Sequence, residues 1–291
     1  MSEANKTNKE SRGIVFDIKR YTLHDGPGIR VSVHLKGCPL ACWWCHNPES
    51  QSFEPQLLLR GERCIACGAC AGLGDAESAE VCPSGARELC GHTMSVSEVM
   101  REVVKERMFF DQSGGGVTLS GGEPLAQPEF AYSILEACKR SEIHTCIDTS
   151  GFAAPDVILK SVPLTDLYLY DLKHMDPEKH REYTGIDNTI ILENLVRLGE
   201  AGAAINVRMP FIPGINTDET NLCAMAEFVS RVKGVTGLNL LPYHSVAEDK
   251  HSRWGMAYKL KDKQIYAPTE NALRKAAEII ESYGIKTTIG G

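Results

Sequence analysis

From residue 95 onward the chain repeats one pattern, a short strand-like run followed by a longer stretch with apolar residues at helical spacing. "SVSEVMREVVKER" opens with Ser95 and Glu98 at capping-box spacing, and Val96, Val99, Met100, Val103 and Val104 form one apolar face. Strands read at "GVTLS", "HTCID", "DLYLYDL", "AINVRMP", "GLNLLPY" and "KTTI". Helices read at "PEFAYSILEACKR", "APDVILKSV", "TIILENLVRLGEAG", "DETNLCAMAEFVSRV" and "TENALRKAAEIIESYG". Such units predict a parallel sheet with helices packed outside it. Two earlier strands, "GIVFDIKRY" and "IRVSVHLK", are joined by the turn "TLHDGPG". The total is about six βα units plus a final strand, fewer than the eight of a closed barrel. An incomplete barrel and a doubly wound sheet both satisfy the pattern, and the incomplete barrel is preferred.

With 291 residues, 43% of them hydrophobic, the chain suffices for one large domain carrying a small insertion. A net charge of −7 argues against a nucleic-acid phosphate track. No apolar run approaches the length of a membrane span. Residues 1–12 are polar, lack the apolar core of a signal peptide, and read as a disordered tail on a cytoplasmic protein. Eleven cysteines in such a protein point to metal rather than disulfides, and eight of them lie between Cys38 and Cys90. Residues 53–92 are rich in Cys and Gly without sustained periodicity, an insertion held by metal. Residues 13–52 and 93–291 then make the barrel.

In parallel α/β folds, function collects at the carboxyl ends of strands. Here those ends carry Cys38, Gly121-Gly122-Glu123, Asp148-Thr149, Asp171 with Lys173, Arg208 and His244. A carboxylate after a strand is often a helix cap, and a lysine is usually solvated. Six consecutive polar strand ends on one rim are harder to explain that way.

"GCPLACWWCHN" places Cys38, Cys42 and Cys45 on a spacing too irregular for one helix face, so the segment should be a loop around a bound group. Structural zinc wants four protein ligands, and no fourth cysteine is adjacent, although His46 follows at once. A cubane iron–sulfur cluster on three cysteines would leave one iron open to a small molecule.

These residues, with "HDGPGIR", "KGCPLACWWCHNPES", "SGGGVTLSGGEPLAQPEF", "DLKHMD" and "LPYH", resemble the glycyl-radical-enzyme activating enzymes of the radical S-adenosylmethionine (SAM) superfamily. The resemblance covers nearly all of the chain after residue 13. It implies an incomplete (β/α)6 TIM-like barrel, a radical SAM core. It also implies an oxidoreductase that reductively cleaves SAM to methionine and a 5′-deoxyadenosyl radical. That radical takes hydrogen from a backbone glycine of a large partner glycyl radical enzyme. By the same resemblance, Cys38, Cys42 and Cys45 hold the catalytic 4Fe–4S cluster. Gly121, Gly122 and Glu123 match the loop at the SAM amino group, and Trp44 matches an aromatic position near adenine. Asn47, Thr149, Lys173, Arg208 and His244 match further SAM contacts. Asp148 and Asp171 resemble a monovalent-cation site, and Asp25 a segment near the substrate glycine. Reduced flavodoxin or ferredoxin is the implied electron donor, and the chain is expected to be a monomer.

Within the insertion, "CIACGAC" and "VCPSGA" form a ferredoxin-like pattern with a stretched final gap. One auxiliary 4Fe–4S cluster is assigned to Cys64, Cys67, Cys70 and Cys82, with Cys90 the rival fourth ligand; zinc is the alternative. Two other functions fit less of the sequence. The Asp-Gly-Pro-Gly and Asp-Leu-Lys segments argue against a radical SAM enzyme acting on a small molecule. A ferredoxin-like electron carrier leaves "SGGEP" and the polar rim unexplained.

Overall fold

The computed structural model describes residues 10–290. In chain order its elements are β1 (Arg12–Thr22), β2 (Arg30–Leu35), β3 (Gln56–Leu59), α1 (Asp75–Glu80), β4 (Arg87–Cys90), β5 (His92–Ser95), α2 (Val96–Val103) and α3 (Arg107–Ser113). Then come β6 (Gly116–Gly121), α4 (Pro128–Arg140), β7 (His144–Thr149), α5 (Pro155–Ser161), β8 (Leu167–Asp171), α6 (Pro177–Thr184) and α7 (Thr189–Glu200). The chain continues with β9 (Ile205–Phe211), α8 (Glu219–Ser230), β10 (Val235–Pro242), α9 (Ala247–Arg253), α10 (Glu270–Glu281) and β11 (Thr287–Ile289).

Strands β2, β6, β7, β8, β9, β10 and β11 lie side by side and parallel. β1 runs antiparallel to β2, and β5 antiparallel to β1. The sheet ends at β5 and β11, which do not pair with each other. The barrel is therefore incomplete, as the count of βα units implied. α2 starts on the expected capping box: Ser95 Oγ accepts from Glu98 N, and Glu98 Oε2 accepts from Ser95 N at 2.7 Å. α6 and α9 escaped the sequence reading because "PEKHREYT" and "AEDKHSR" carry no apolar stripe.

Alternation along the strands sorts the two faces. Val31, Val33 and Leu35 of β2, Val117 and Leu119 of β6, and Ile205, Val207 and Met209 of β9 point outward. They join Val99, Ile134, Leu198, Met225 and Ile280 of the covering helices in one core. Each such side chain contributes about 1.5–3 kcal/mol on burial. Most of the opposite positions are polar, among them Ser32, His34, Ser120, Asp148, Asp171, Asn206 and Arg208. The sheet therefore builds a polar interior by the same alternation that builds its core.

Residues 1–9 of the expected tail lie outside the described residues. Glu10 Oε1 accepts from Ser97 N at 2.7 Å, Ser11 O accepts from Val96 N at 3.3 Å, and Arg12 begins β1. The Cys-rich segment leaves the sheet after β2, forms the antiparallel β3–β4 pair and α1, and rejoins at β5. No helix among the described residues is long and apolar enough to cross a membrane.

Candidate active site

The cysteine loop follows β2 and is fastened from three sides. Gly37 N donates to Ser50 O at 2.7 Å and Cys38 N to Gln51 O at 3.2 Å. Ala41 N and Trp43 N donate to Thr184 O and Tyr183 O, at the end of α6. From α9, His251 Nε2 donates to Cys45 O at 3.0 Å. Lys250 Nζ donates to Asn47 Oδ1 at 3.0 Å and to Glu49 Oε1 at 2.8 Å. Lys250, His251 and Glu49 are site residues that the sequence reading missed; they lie about 200 positions apart in the chain, and α9 has no periodic signal.

All three thiols are free and partly buried. Burial pushes Cys38 and Cys45 up, and pushes Cys42 up to about 12 although the Lys173 ammonium works against it. A thiol so placed keeps its proton at neutral pH unless a metal displaces it. No three His, Cys, Asp or Glu side chains among the described residues converge where one metal ion could sit. A cubane asks for less convergence, because each thiolate binds a different iron.

β6 delivers Gly121 and Gly122 onto the start of this loop. Gly121 has φ +109°, and a Cβ there would lie 2.6 Å from Leu35 N; a Cβ on Gly122 would lie 2.4 Å from Gly37 O. Only glycine fits both positions. Gly122 N donates to Leu35 O and Glu123 N to Gly37 O, each at 2.9 Å. The Glu123 side chain points away into the fold. Its carboxylate accepts from Thr149 Oγ1 at 2.7 Å, Leu125 N at 3.2 Å, Ser150 N at 2.8 Å and Ser150 Oγ at 2.6 Å. Burial pushes this carboxyl upward, against those hydrogen bonds. Glu123 and Thr149 thus brace each other, and the backbone of residues 121–123 is what the loop presents.

Asp148, Asp171, Lys173 and Arg208 meet in one network. Ser120 Oγ donates to Asp148 Oδ2 at 2.7 Å, and Lys173 Nζ to Asp171 Oδ2 at 2.8 Å. The Arg208 guanidinium lies 3.6 Å from Asp148 Oδ1 and 3.4 Å from Asp171 Oδ1. The latter approach is an ion pair without hydrogen-bond geometry, so Asp171 Oδ1 and Arg208 Nε both keep unused capacity. Burial raises the Asp148 carboxyl, with Arg208 opposing. Burial acts downward on Lys173, but Asp171 and Cys42 outweigh it and hold the ammonium above its ordinary range. β9 continues past Arg208 to Phe211, so that side chain projects from mid-strand rather than from a strand end.

His244 is exposed, with its ring 4.5 Å from that of His46. Trp44 is only 5% exposed, in an apolar cluster with Ile212, Ile215, Tyr243 and Tyr258. Asp25 is folded into the barrel interior: its carboxylate accepts from Ser32 Oγ and its carbonyl from Thr118 Oγ1 at 2.6 Å. In the insertion, Cys64, Cys67, Cys70 and Cys82 line one cavity of about 410 Å³, which Cys90 does not line. For Cys82, burial is opposed and outweighed by hydrogen bonds from Ser84, Arg87 and Ala86, which favour the thiolate.

With three thiols on one loop against a glycine cradle, at the carboxyl end of a parallel sheet, the class of the protein can be stated. The Radical SAM superfamily model matches residues 32–225, and the chain belongs to that superfamily. It is 38% identical to the trans-4-hydroxy-L-proline dehydratase activating enzyme of Clostridioides difficile, with 96% of this chain and 99% of the relative covered. It is also 38% identical to the choline trimethylamine-lyase activating enzyme of Oleidesulfovibrio alaskensis, covering 87% and 90%. A domain of pyruvate-formate lyase-activating enzyme from Bacteroides vulgatus superposes with TM-score 0.53 and 35% identity, over 61% of this chain and all of that one. Within the superfamily this is a glycyl-radical-enzyme activating enzyme, as its motifs implied.

Proposed function

We propose that Cys38, Cys42 and Cys45 hold a 4Fe–4S cluster whose fourth iron binds SAM, and that the chain activates a large partner enzyme by taking hydrogen from one of its backbone glycines. When bound there, a reduced cluster would supply the one electron needed to cleave SAM to methionine and a 5′-deoxyadenosyl radical, which would take the glycine hydrogen and become 5′-deoxyadenosine. The observation that carries this reading is the pairing of three partly buried thiols, lacking a fourth, with the Gly121–Gly122 cradle against the same loop.

This chain's own residues bind, orient and shield. The backbone carbonyls of residues 121–123 receive the SAM amino group. Arg208 and Lys173 face its carboxylate or ribose, and Arg208 Nε has unused donor capacity for it. Asp171 Oδ1, ion-paired with Arg208 but without a hydrogen-bond partner, suits a monovalent cation shared with Asp148. Asn47 and His244 are read as further polar contacts to the SAM carboxylate or ribose, and Trp44 as the aromatic group near its adenine. Asp25, inside the barrel, is read as belonging to the segment near the substrate glycine. Holding the reacting atoms close and dry matters because a primary alkyl radical attacks almost any C–H bond.

The insertion of residues 53–92 is read as a ferredoxin-like unit with an auxiliary 4Fe–4S cluster on Cys64, Cys67, Cys70 and Cys82. Its support is the shared cavity and the thiolate-favouring hydrogen bonds at Cys82. A reduced flavodoxin or ferredoxin supplies electrons to a monomeric, cytoplasmic enzyme. Anaerobic reconstitution, reduction and addition of SAM should release methionine and 5′-deoxyadenosine. Mixing with the partner enzyme should give a glycyl doublet in electron paramagnetic resonance. Natively bound zinc at the three thiols, or a fourth amino-acid ligand there, would end the proposal.

A further inference from the structure

One row on the inward face of the sheet is not used by the SAM contacts proposed above. His34 on β2 stands opposite Ser120 on β6, and Ser120 Oγ donates to Asp148 on β7. Asp148 stands opposite Leu169 on β8, Leu169 opposite Asn206 on β9, and Asn206 opposite Gly237 on β10. Val33 and Leu35 flank His34, and Ile205 and Val207 flank Asn206; all four belong to the outer core. Alternation therefore turns His34 and Asn206 into the barrel.

Both ends of this row are incomplete. His34 is 5% exposed, and neither Nδ1 nor Nε2 has a hydrogen-bond partner among the described residues. Its ring meets Phe16 edge-on at 5.5 Å. Asn206 Oδ1 is likewise buried without a partner, and Gly237 leaves the next position without a side chain. Buried polar atoms are seldom left unpaired, and one that is needs an account. The middle of the row is complete, since Ser120 and Asp148 satisfy each other.

Burial, helped by the Lys19 ammonium, pushes His34 down to about 3, so the ring is neutral. A neutral imidazole offers one N–H donor and one nitrogen acceptor. Those are the complements of one C=O and one N–H of a peptide backbone, and Asn206 Oδ1 accepts a second N–H. A backbone segment drawn into the barrel must find partners for each amide it brings. We infer that His34 and Asn206 are main-chain binding contacts for the partner's glycine-bearing segment, which crosses the barrel from the β1–β2 side toward β9 and β10. This rests on the function proposed above and extends it to the substrate's backbone.

The test uses reconstituted holoprotein with SAM, and acetyl-triglycine amide deuterated at its Cα positions as the probe. Calorimetric titration before reduction gives the peptide Kd; deuterium recovered in 5′-deoxyadenosine after reduction gives KM and kcat. His34→Phe keeps an aromatic ring beside Phe16 and removes both nitrogens, His34→Gln restores a donor and an acceptor, and Asn206→Leu removes the second acceptor. The peptide Kd and KM should rise about tenfold in His34→Phe and in Asn206→Leu, with SAM affinity within about twofold of wild type. His34→Gln should recover most of the loss. Unchanged peptide affinity in both damaging variants overturns the inference. A matching loss of SAM affinity also overturns it, by placing His34 on SAM instead. If wild-type protein neither binds the peptide nor draws deuterium from it, the glycine reading fails together with this inference. If wild type does both and the variants match it, this inference alone fails.

Discussion

Cys42 and Cys82 occupy opposite settings. Around Cys42 burial dominates and drives the thiol up to about 12, and the loop is fixed by bonds from β6, α6 and α9. Around Cys82 hydrogen bonds dominate and favour the thiolate, and the four insertion cysteines frame a cavity lined by their own segment. The first site is built by the whole barrel and depends on remote parts of the chain. The second is local. A group that must bind a small molecule and exclude water needs the first kind of site, whereas a cluster with all four irons claimed can stand on the second.

The largest effect that could break this contrast is Cys42→Ala against Cys82→Ala. Cys42→Ala should lower 5′-deoxyadenosine release by about a thousandfold or more while keeping the insertion's iron. Cys82→Ala should remove about four irons per chain and leave measurable SAM cleavage. Equal loss of cleavage in both would mean that the two cysteine groups act as one unit.

Gly122→Ala comes next. Its new Cβ would meet Gly37 O at 2.4 Å, backbone against backbone, so the cysteine loop must shift. Urea unfolding of the apoprotein should show a loss of about 2–4 kcal/mol. Iron at the insertion should be unchanged, because nothing in its cavity touches residue 122. Loss of iron from both sites would show that the insertion depends on the barrel after all.

Much of this was legible in the sequence because the signals were local. Cys38, Cys42 and Cys45 announce a loop by their spacing, and Ser95 and Glu98 a helix start by theirs. Asp148 and Asp171 could be placed on one rim because parallel strands align their ends, whereas Arg208 joins them from mid-strand. The roles of individual side chains were less legible. Glu123 reads as a site group beside two glycines, yet its carboxylate faces Thr149 and Ser150, contacts about 26 residues away that no local pattern encodes. His34 reads as an ordinary strand residue, and only the register across five strands sets it level with Asn206. The clamp from α9 is invisible for the same reason: Lys250 and His251 act on a loop two hundred residues earlier.

That clamp gives a medium-sized test. Lys250→Ala removes the cation that Glu49 and Asn47 share, leaving a largely buried carboxylate with less compensation. The expected cost is about 1–2 kcal/mol in urea unfolding, with faster loss of iron from the cysteine loop to a chelator and no change at the insertion. Equal iron loss at both sites would contradict the division between remote and local support.

The smallest effect is the sharpest on ligand identity. Cys90 lies at the end of β4, paired in register with Gln56, and its Sγ donates to Glu49 O at 3.9 Å. Burial pushes this thiol up to about 11, although the Lys36 ammonium pulls the other way. It does not line the cavity that the other four insertion cysteines share. A ligand would need to be a thiolate facing that cavity; Cys90 is instead a protonated donor facing the Glu49 carbonyl. Cys90→Ser keeps a donor of nearly the same size, so stability should fall by less than about 1 kcal/mol and iron content should match wild type. Loss of about four irons per chain would make Cys90 the fourth ligand in place of Cys82. The auxiliary site itself would then extend to the Glu49 side of the cysteine loop, and the two sites would share a wall.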